Sequence, residues 1–183
     1  MNYNKYTETA EKILNESNPP EPYNDPAFME YVKLNRSRMK RWETHGILSE
    51  GLIEGLKKIK SRQHWIIISE PWCGDAAHIV PFIVKAANQN NLISYDIQLR
   101  DAEPFLINNY LTNGSKSIPM LIVRDENNKD MFVWGPRPKA AQLVMEKMKA
   151  ENPDFETIKI ALQNWYNKDK GVEICKELSA HFQ

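Results

Sequence analysis

The residues best able to do chemistry in this chain stand together in Pro71-Trp72-Cys73-Gly74-Asp75-Ala76. Cys73 is one of 2 cysteines, and the other, Cys175, lies far along the chain. Two separated thiols make no disulfide framework, so Cys73 is read as a free thiol whose reactivity follows its thiolate fraction. The run before it, His64-Trp65-Ile66-Ile67-Ile68-Ser69, is short, apolar and β-branched, as in a strand buried on both faces. After it, Ala76, Ile79, Val80, Ile83, Val84 and Ala87 recur at helical spacing. Cys73 therefore sits where a strand meets a helix N-terminus, and the unpaired N–H groups and dipole there favour thiolate. Such an environment, or a neighbouring cation, lowers a free thiol from about 8.5 by one to several units. Asp75 opposes this, because a carboxylate so close disfavours a second negative charge unless it caps the helix and points away. His78 falls on a different helix face from Cys73, which argues against a Cys–His pair. Cys73, Asp75 and His78 also lack the convergence of a zinc site, so no metal and no cofactor is expected. His45 and His64 read as surface or cap residues, and Cys175, among Val172, Ile174 and Leu178, as a buried structural cysteine.

Strand, tight turn and helix around Cys73, with Pro81 inside the helix and Ser117-Ile118-Pro119 further on, resemble the thioredoxin family. The later segments follow that family's order: Ser94 to Leu99 as a strand, Glu103 to Tyr110 as a short helix, Met120 to Arg124 and Met131 to Trp134 as a hairpin, then a helix from Lys139. The resemblance covers Ser61 to Ala150. It implies an α/β, thioredoxin-like fold, a central mixed β-sheet flanked by helices. It also implies that Cys73 is the attacking thiol, with Trp72 partly exposed beside it and Gly74 and Asp75 completing the turn. Ile118-Pro119 resembles the family's cis-proline loop, which exposes the peptide groups of Ile118 to an extended substrate. Gly135 stands where the family has a glycine after its last strand, a loop that adjoins the active-site rim. Arg137 in that loop can supply a cation near the Cys73 thiolate or bind a substrate carboxylate; a plain proline-rigidified turn is the other reading.

Two departures bear on function. The resolving cysteine of a Cys-x-x-Cys site is replaced by Ala76, and the acidic residue that serves it in the preceding strand is replaced by Ile67. The expected activity is therefore a monothiol, thiol-disulfide oxidoreductase in which Cys73 attacks a disulfide and an external thiol resolves the adduct; the expected partner is a protein disulfide or low-molecular-weight thiol substrate. The alternative is a catalytically inactive binding module whose groove around Trp72, Ile118 and Pro119 holds a peptide without turnover. Peroxide reduction would need a supporting threonine or arginine near the thiol, and none is assigned.

Composition narrows the setting. The chain has 183 residues, enough for one substantial core, and its 24 basic and 24 acidic residues give no electrostatic case for nucleic acid or a membrane surface. Neither a membrane-spanning stretch nor a secretory signal is legible, so the expected compartment is cytoplasmic. Residues 1–60 read as an N-terminal helical extension, 61–150 as the thioredoxin-like domain and 151–183 as C-terminal helices packed on it. In the first, Asn18-Pro19-Pro20-Glu21-Pro22 breaks a helix of Tyr6 to Asn15. Asp25-Pro26 opens a second, ending at His45-Gly46, with Phe28, Val32, Met39 and Trp42 on one face. That second helix also carries Lys33, Arg36, Arg38, Lys40 and Arg41, read as a solvated face or else as an anion or partner surface. A third spans Ser49 to Lys60. At the other end, Asp154 to Asn167 and Val172 to His181 read as helices separated by Gly171. The oligomeric state has no signal in the sequence.

Overall fold

A computed structural model describes residues 1–151 and 153–182; Asn152 and Gln183, inside the C-terminal extension, lie outside the described residues. The centre is β1 (Gln63–Ser69), whose Trp65, Ile66, Ile67 and Ile68 are all buried, as a strand covered on both faces requires. It pairs in parallel with β2 (Ile93–Leu99) and antiparallel with β3 (Met120–Asp125), which continues into β4 (Asp130–Trp134). The order across this mixed sheet is β2-β1-β3-β4. Ile67 stands opposite Ile97 on one side and Leu121 on the other. The β3–β4 turn is closed by Asp125, whose carboxylate accepts from the N–H groups of Asn127 and Lys129.

Seven helices surround the sheet among the described residues. These are α1 (Tyr3–Asn15), α2 (Pro26–His45), α3 (Glu50–Lys57), α4 (Gly74–Ala87), α5 (Lys139–Ala150), α6 (Phe155–Asp169) and α7 (Val172–Ser179). Nearly all of α4 is buried, because it lies between β1 and β2 on one side and α2, α3 and α7 on the other. Trp42 of α2 packs on Phe82 of α4 with ring centroids 5.6 Å apart. Gly171, between α6 and α7, has φ +87°, and a Cβ there would come 2.2 Å from the Phe82 ring, so this junction tolerates only glycine. At the other edge of the molecule, the Met1 carbonyl accepts from the Ile97 N–H at 2.8 Å and α1 follows β2, with the Tyr6 hydroxyl 2.7 Å from Ser69 Oγ.

Two expectations need correcting. The short helix expected over Glu103 to Tyr110 is only a 3-10 turn, Leu106–Asn109: Pro104 has no N–H to donate, and Phe105 takes a left-handed φ of 53°, which a continuous helix cannot include. The helix after the cysteine begins at Gly74 rather than Ala76, which makes Cys73 itself the N-cap residue. The basic face of α2 is also less bare than its composition implied. Arg36 pairs with Glu11 and Glu43 at 2.9 Å each, Lys40 pairs with Glu11, and Arg41 lies over Trp42.

Candidate functional site

Ser69 ends β1, and Glu70-Pro71-Trp72 turn the chain so that the Cys73 N–H donates to the Glu70 carbonyl at 3.0 Å. The Cys73 carbonyl then accepts from Ala77 and opens α4. The thiol points beneath the loop before β3 and donates to the Ile118 carbonyl across 3.4 Å; the Ile118–Pro119 bond is cis. Gly135, at φ +132°, holds that loop from behind, since a Cβ there would meet the Pro119 carbonyl at 2.4 Å. A side chain at Gly135 would push the loop off the sulfur.

Cys73 is 7% exposed. Burial pushes its thiol up to about 12, and the Asp75 carboxylate adds to the rise; the N–H groups of Ala76 and Asp75 and the Arg137 guanidinium pull the other way without winning. The sequence leaves open whether the helix terminus or Asp75 prevails; in the structure desolvation outweighs the helix terminus. Asp75 does not cap α4. Its Oδ2 accepts from Arg137 Nη2 at 2.5 Å and Nε at 3.2 Å, and its Oδ1 from the Tyr166 hydroxyl at 2.7 Å. Arg137 thus reaches the site, but as the partner of Asp75.

Behind this pair, the buried Tyr166 of α6 stacks on His78 of α4 with centroids 4.4 Å apart. His78 Nδ1 accepts from Trp42 Nε1 at 2.8 Å, so its proton is on Nε2, which donates to Gln163 at 3.2 Å. Burial first, and the nearby Arg38 next, push this imidazole down to about 3. His78 is neutral and faces away from any acid–base role with Cys73. Trp72 is half-buried, with the Arg100 guanidinium 4.6 Å over its ring and Phe28 edge-on at 5.8 Å.

In front of Cys73 lies a cleft of about 850 Å³ walled by α2, α6, the Ser115–Ile118 loop and Arg137. Trp72, Gly74, Asp75 and Ile118 line it; Gly135 and Pro119 support it from behind. Cys175 is not part of it: that buried thiol, on α7, faces the Ile47 carbonyl at 3.9 Å, and both cysteines are free. His45 is exposed, and His64 is paired with Ser94. Ala76 and Ile67 are buried apolar residues, so the site holds no second thiol and no acid at the strand position. Among the described residues no three His, Cys, Asp or Glu side chains converge to hold a metal, and no helix is long and apolar enough to cross a membrane.

Four residues of the site were not singled out in the sequence. Arg38 was noted only as part of a basic helix. Asn35, also in α2, is 1% exposed and donates to the Pro71 carbonyl at 3.0 Å, fixing the turn before Cys73. Glu70 is a buried carboxyl held by the Tyr23 hydroxyl and the Asp101 N–H, and its burial raises it above the usual carboxylate range. Tyr166 closes the cleft from α6. The only advance signal was polar residues at apolar-face spacing, as with Asn35 between Val32 and Met39.

A mixed sheet, a cysteine at the N-cap of the helix after β1, and a proline loop over its sulfur define a thioredoxin-like protein with a single-cysteine site. The thioredoxin family model matches residues 23–150, so the chain belongs to that family. No curated protein gives a match. Among solved structures, an HIV epitope-scaffold is similar at TM-score 0.54 and 16% identity, covering 99% of this chain and 97% of the other. A protein of unknown function, PA1234 from Pseudomonas aeruginosa, is similar at TM-score 0.50 and 17% identity, covering 94% of this chain and 99% of its own. These two likenesses concern the fold alone.

Proposed function

We propose that this protein is a thioredoxin-fold binding module whose cleft receives a ligand above Cys73, with the cysteine at its floor as a protonated thiol. The supporting observation is the burial of Cys73, a residue 7% exposed whose thiol donates to the Ile118 carbonyl. A thiol titrating near 12 rather than 8.5 forgoes roughly three powers of ten in thiolate at neutral pH, and its greater basicity returns about half of that in nucleophilicity. The net is a thiol tens of times slower than free cysteine. Iodoacetamide labelling from pH 6 to 10 tests the reading. At pH 7 Cys73 should label more slowly than free cysteine, and its rate should climb about tenfold per pH unit through pH 9. A plateau below pH 8 would overturn it.

One observation favours a second reading, single-thiol exchange: Cys73 lines the cleft, and two N–H groups and Arg137 all favour its thiolate. In that reaction the Cys73 thiolate attacks one sulfur of a substrate disulfide, forming a mixed disulfide and releasing the other half as a thiolate. An external thiol then attacks the mixed disulfide, takes over the bound half and frees Cys73. With Ala76 and Ile67 in place, the Cys73 proton leaves to solvent. Both readings suit a reducing compartment such as the cytoplasm, where free thiols persist. Trapping a Cys73 mixed disulfide with a small disulfide at pH 7, faster than free cysteine forms one, would move exchange into first place.

A further inference from the structure

We infer that the ligand of this cleft is a small amphiphilic anion, its charged head on Arg38 beside Cys73 and its apolar body along α6. The inference rests on the binding reading above. Arg38 leans over Gly74, its Nη1 3.6 Å from where a Gly74 Cβ would lie, at the first turn of the helix that Cys73 caps. Its orientation is built: Nη1 donates to Asn35 Oδ1 at 2.8 Å, and buried Asn35 is itself anchored to Pro71. Its Nε is buried with no hydrogen-bond partner.

The other cleft cations are mostly answered. Arg137 is taken by Asp75, Arg100 by Asp101 and Lys159 by Glu156. Arg38 and the exposed Lys116 have no carboxylate within ion-pair distance among the described residues. Asp75 in the cleft floor is paired with Arg137 and accepts a hydrogen bond from the Tyr166 hydroxyl, and Glu30 stands exposed on α2. A half-buried guanidinium that no carboxylate pairs with is costly unless an anion meets its cleft-facing edge. Above it the wall is apolar, with Phe28, Leu34, Trp72, Ile158, Ile160 and Leu162, of which Leu34 and Ile160 are exposed at 47% and 59%. A cleft of about 850 Å³ falls in the size range of small-molecule sites.

The test titrates the full chain with 1-anilinonaphthalene-8-sulfonate and with N-phenyl-1-naphthylamine, the same apolar body without the sulfonate. Both should bind at one site and protect Cys73 from iodoacetamide, and the sulfonate should bind about tenfold tighter or more, as expected for a charge-assisted hydrogen bond. In Arg38→Gln that preference should vanish while the neutral dye binds as before; Arg38→Lys should keep part of it. The melting temperature of Arg38→Gln should hold or rise, since a desolvated cation is removed. If both dyes bind equally and Arg38→Gln changes neither, the anion inference is overturned and the binding reading stands. If neither dye binds or protects Cys73, the binding reading fails and takes the inference with it. Loss of both dyes together with a lower melting temperature in Arg38→Gln would make Arg38 structural and overturn the inference.

Discussion

Cys73 and Asp75 share one helical turn, and each limits the other. The carboxylate adds to the rise of the thiol, while Arg137 and Tyr166 hold that carboxylate in place. Asp75→Asn should therefore raise Cys73 labelling at pH 8 by about tenfold, through loss of the repulsion and release of an unpaired Arg137 beside the sulfur. The same change should destabilise the fold by about 3 kcal/mol in chemical denaturation, because Arg137 and Asp75 are only 14% and 12% exposed. Unchanged labelling would mean that burial alone sets the thiol. Cys73 also ties stability to pH. Its value is raised on folding, so its contribution is full below the free-thiol value and fades as pH rises from about 9 toward 12. Cys73→Ala should flatten the decline in stability between pH 9 and 10 relative to the parent. At this scale the resemblance makes part of this neighbourhood legible: the structure brings Cys73, Ile118 and Gly135 together, while Arg137, open to several readings in the sequence, is the partner of Asp75. Arg38, Asn35, Glu70 and Tyr166 were not legible, because a polar residue on an amphipathic helix reads as solvent-facing until the element packed over it is known.

The elements that distinguish this site are α2 and α6, which wall the cleft in front of Cys73. Both contact His78 of α4: Trp42 edge-on with its Nε1–H donating to Nδ1, Tyr166 stacked on the ring, and Gln163 on the far nitrogen. The folded protein keeps His78 neutral where an unfolded chain would take a proton. Its contribution is therefore full above the ordinary histidine value of about 6.5 and is lost as pH falls from there toward 3, by about 1.4 kcal/mol per unit. The parent should lose stability through that window, and the gap to His78→Gln should narrow as pH drops; a constant gap would remove His78 as the source. The first turn of α4 offers a second check. Ala76→Cys places a thiol at the third helical residue after the Cys73 cap, and mild oxidation should join the two in an internal disulfide detectable as a loss of 2 free thiols, one of them Cys73. Failure to pair would mean that the turn is not the one described.

For the molecule as a whole, the mixed sheet flanked by helices and the chain order of its elements are legible because β1 and α4 carry unmixed signals, a β-branched run and an unbroken apolar face, whereas the strand order β2-β1-β3-β4 comes from the structure. The 3-10 turn at Leu106–Asn109 was not legible, since Pro104 and Phe105 interrupt a segment whose composition alone looks helical. Nor was the way the flanking helices shape the cleft, which is a property of contacts between residues far apart, such as Tyr166 with Asp75. The sheet has two outer strands, and they are guarded differently. Strand β4 is short, opposes an irregularity at Val123/Arg124 and begins with Asp130 tied to Arg124. Strand β2 is smoother, and the backbone of Met1 sits against Ile97. The Met1 backbone thus occupies the outward N–H and C=O of Ile97, groups that an incoming strand would need to pair along this edge. Removing residues 1–5 should leave Cys73 labelling unchanged but open a template for intermolecular β-pairing, seen as thioflavin T signal on gentle heating that the intact chain does not give.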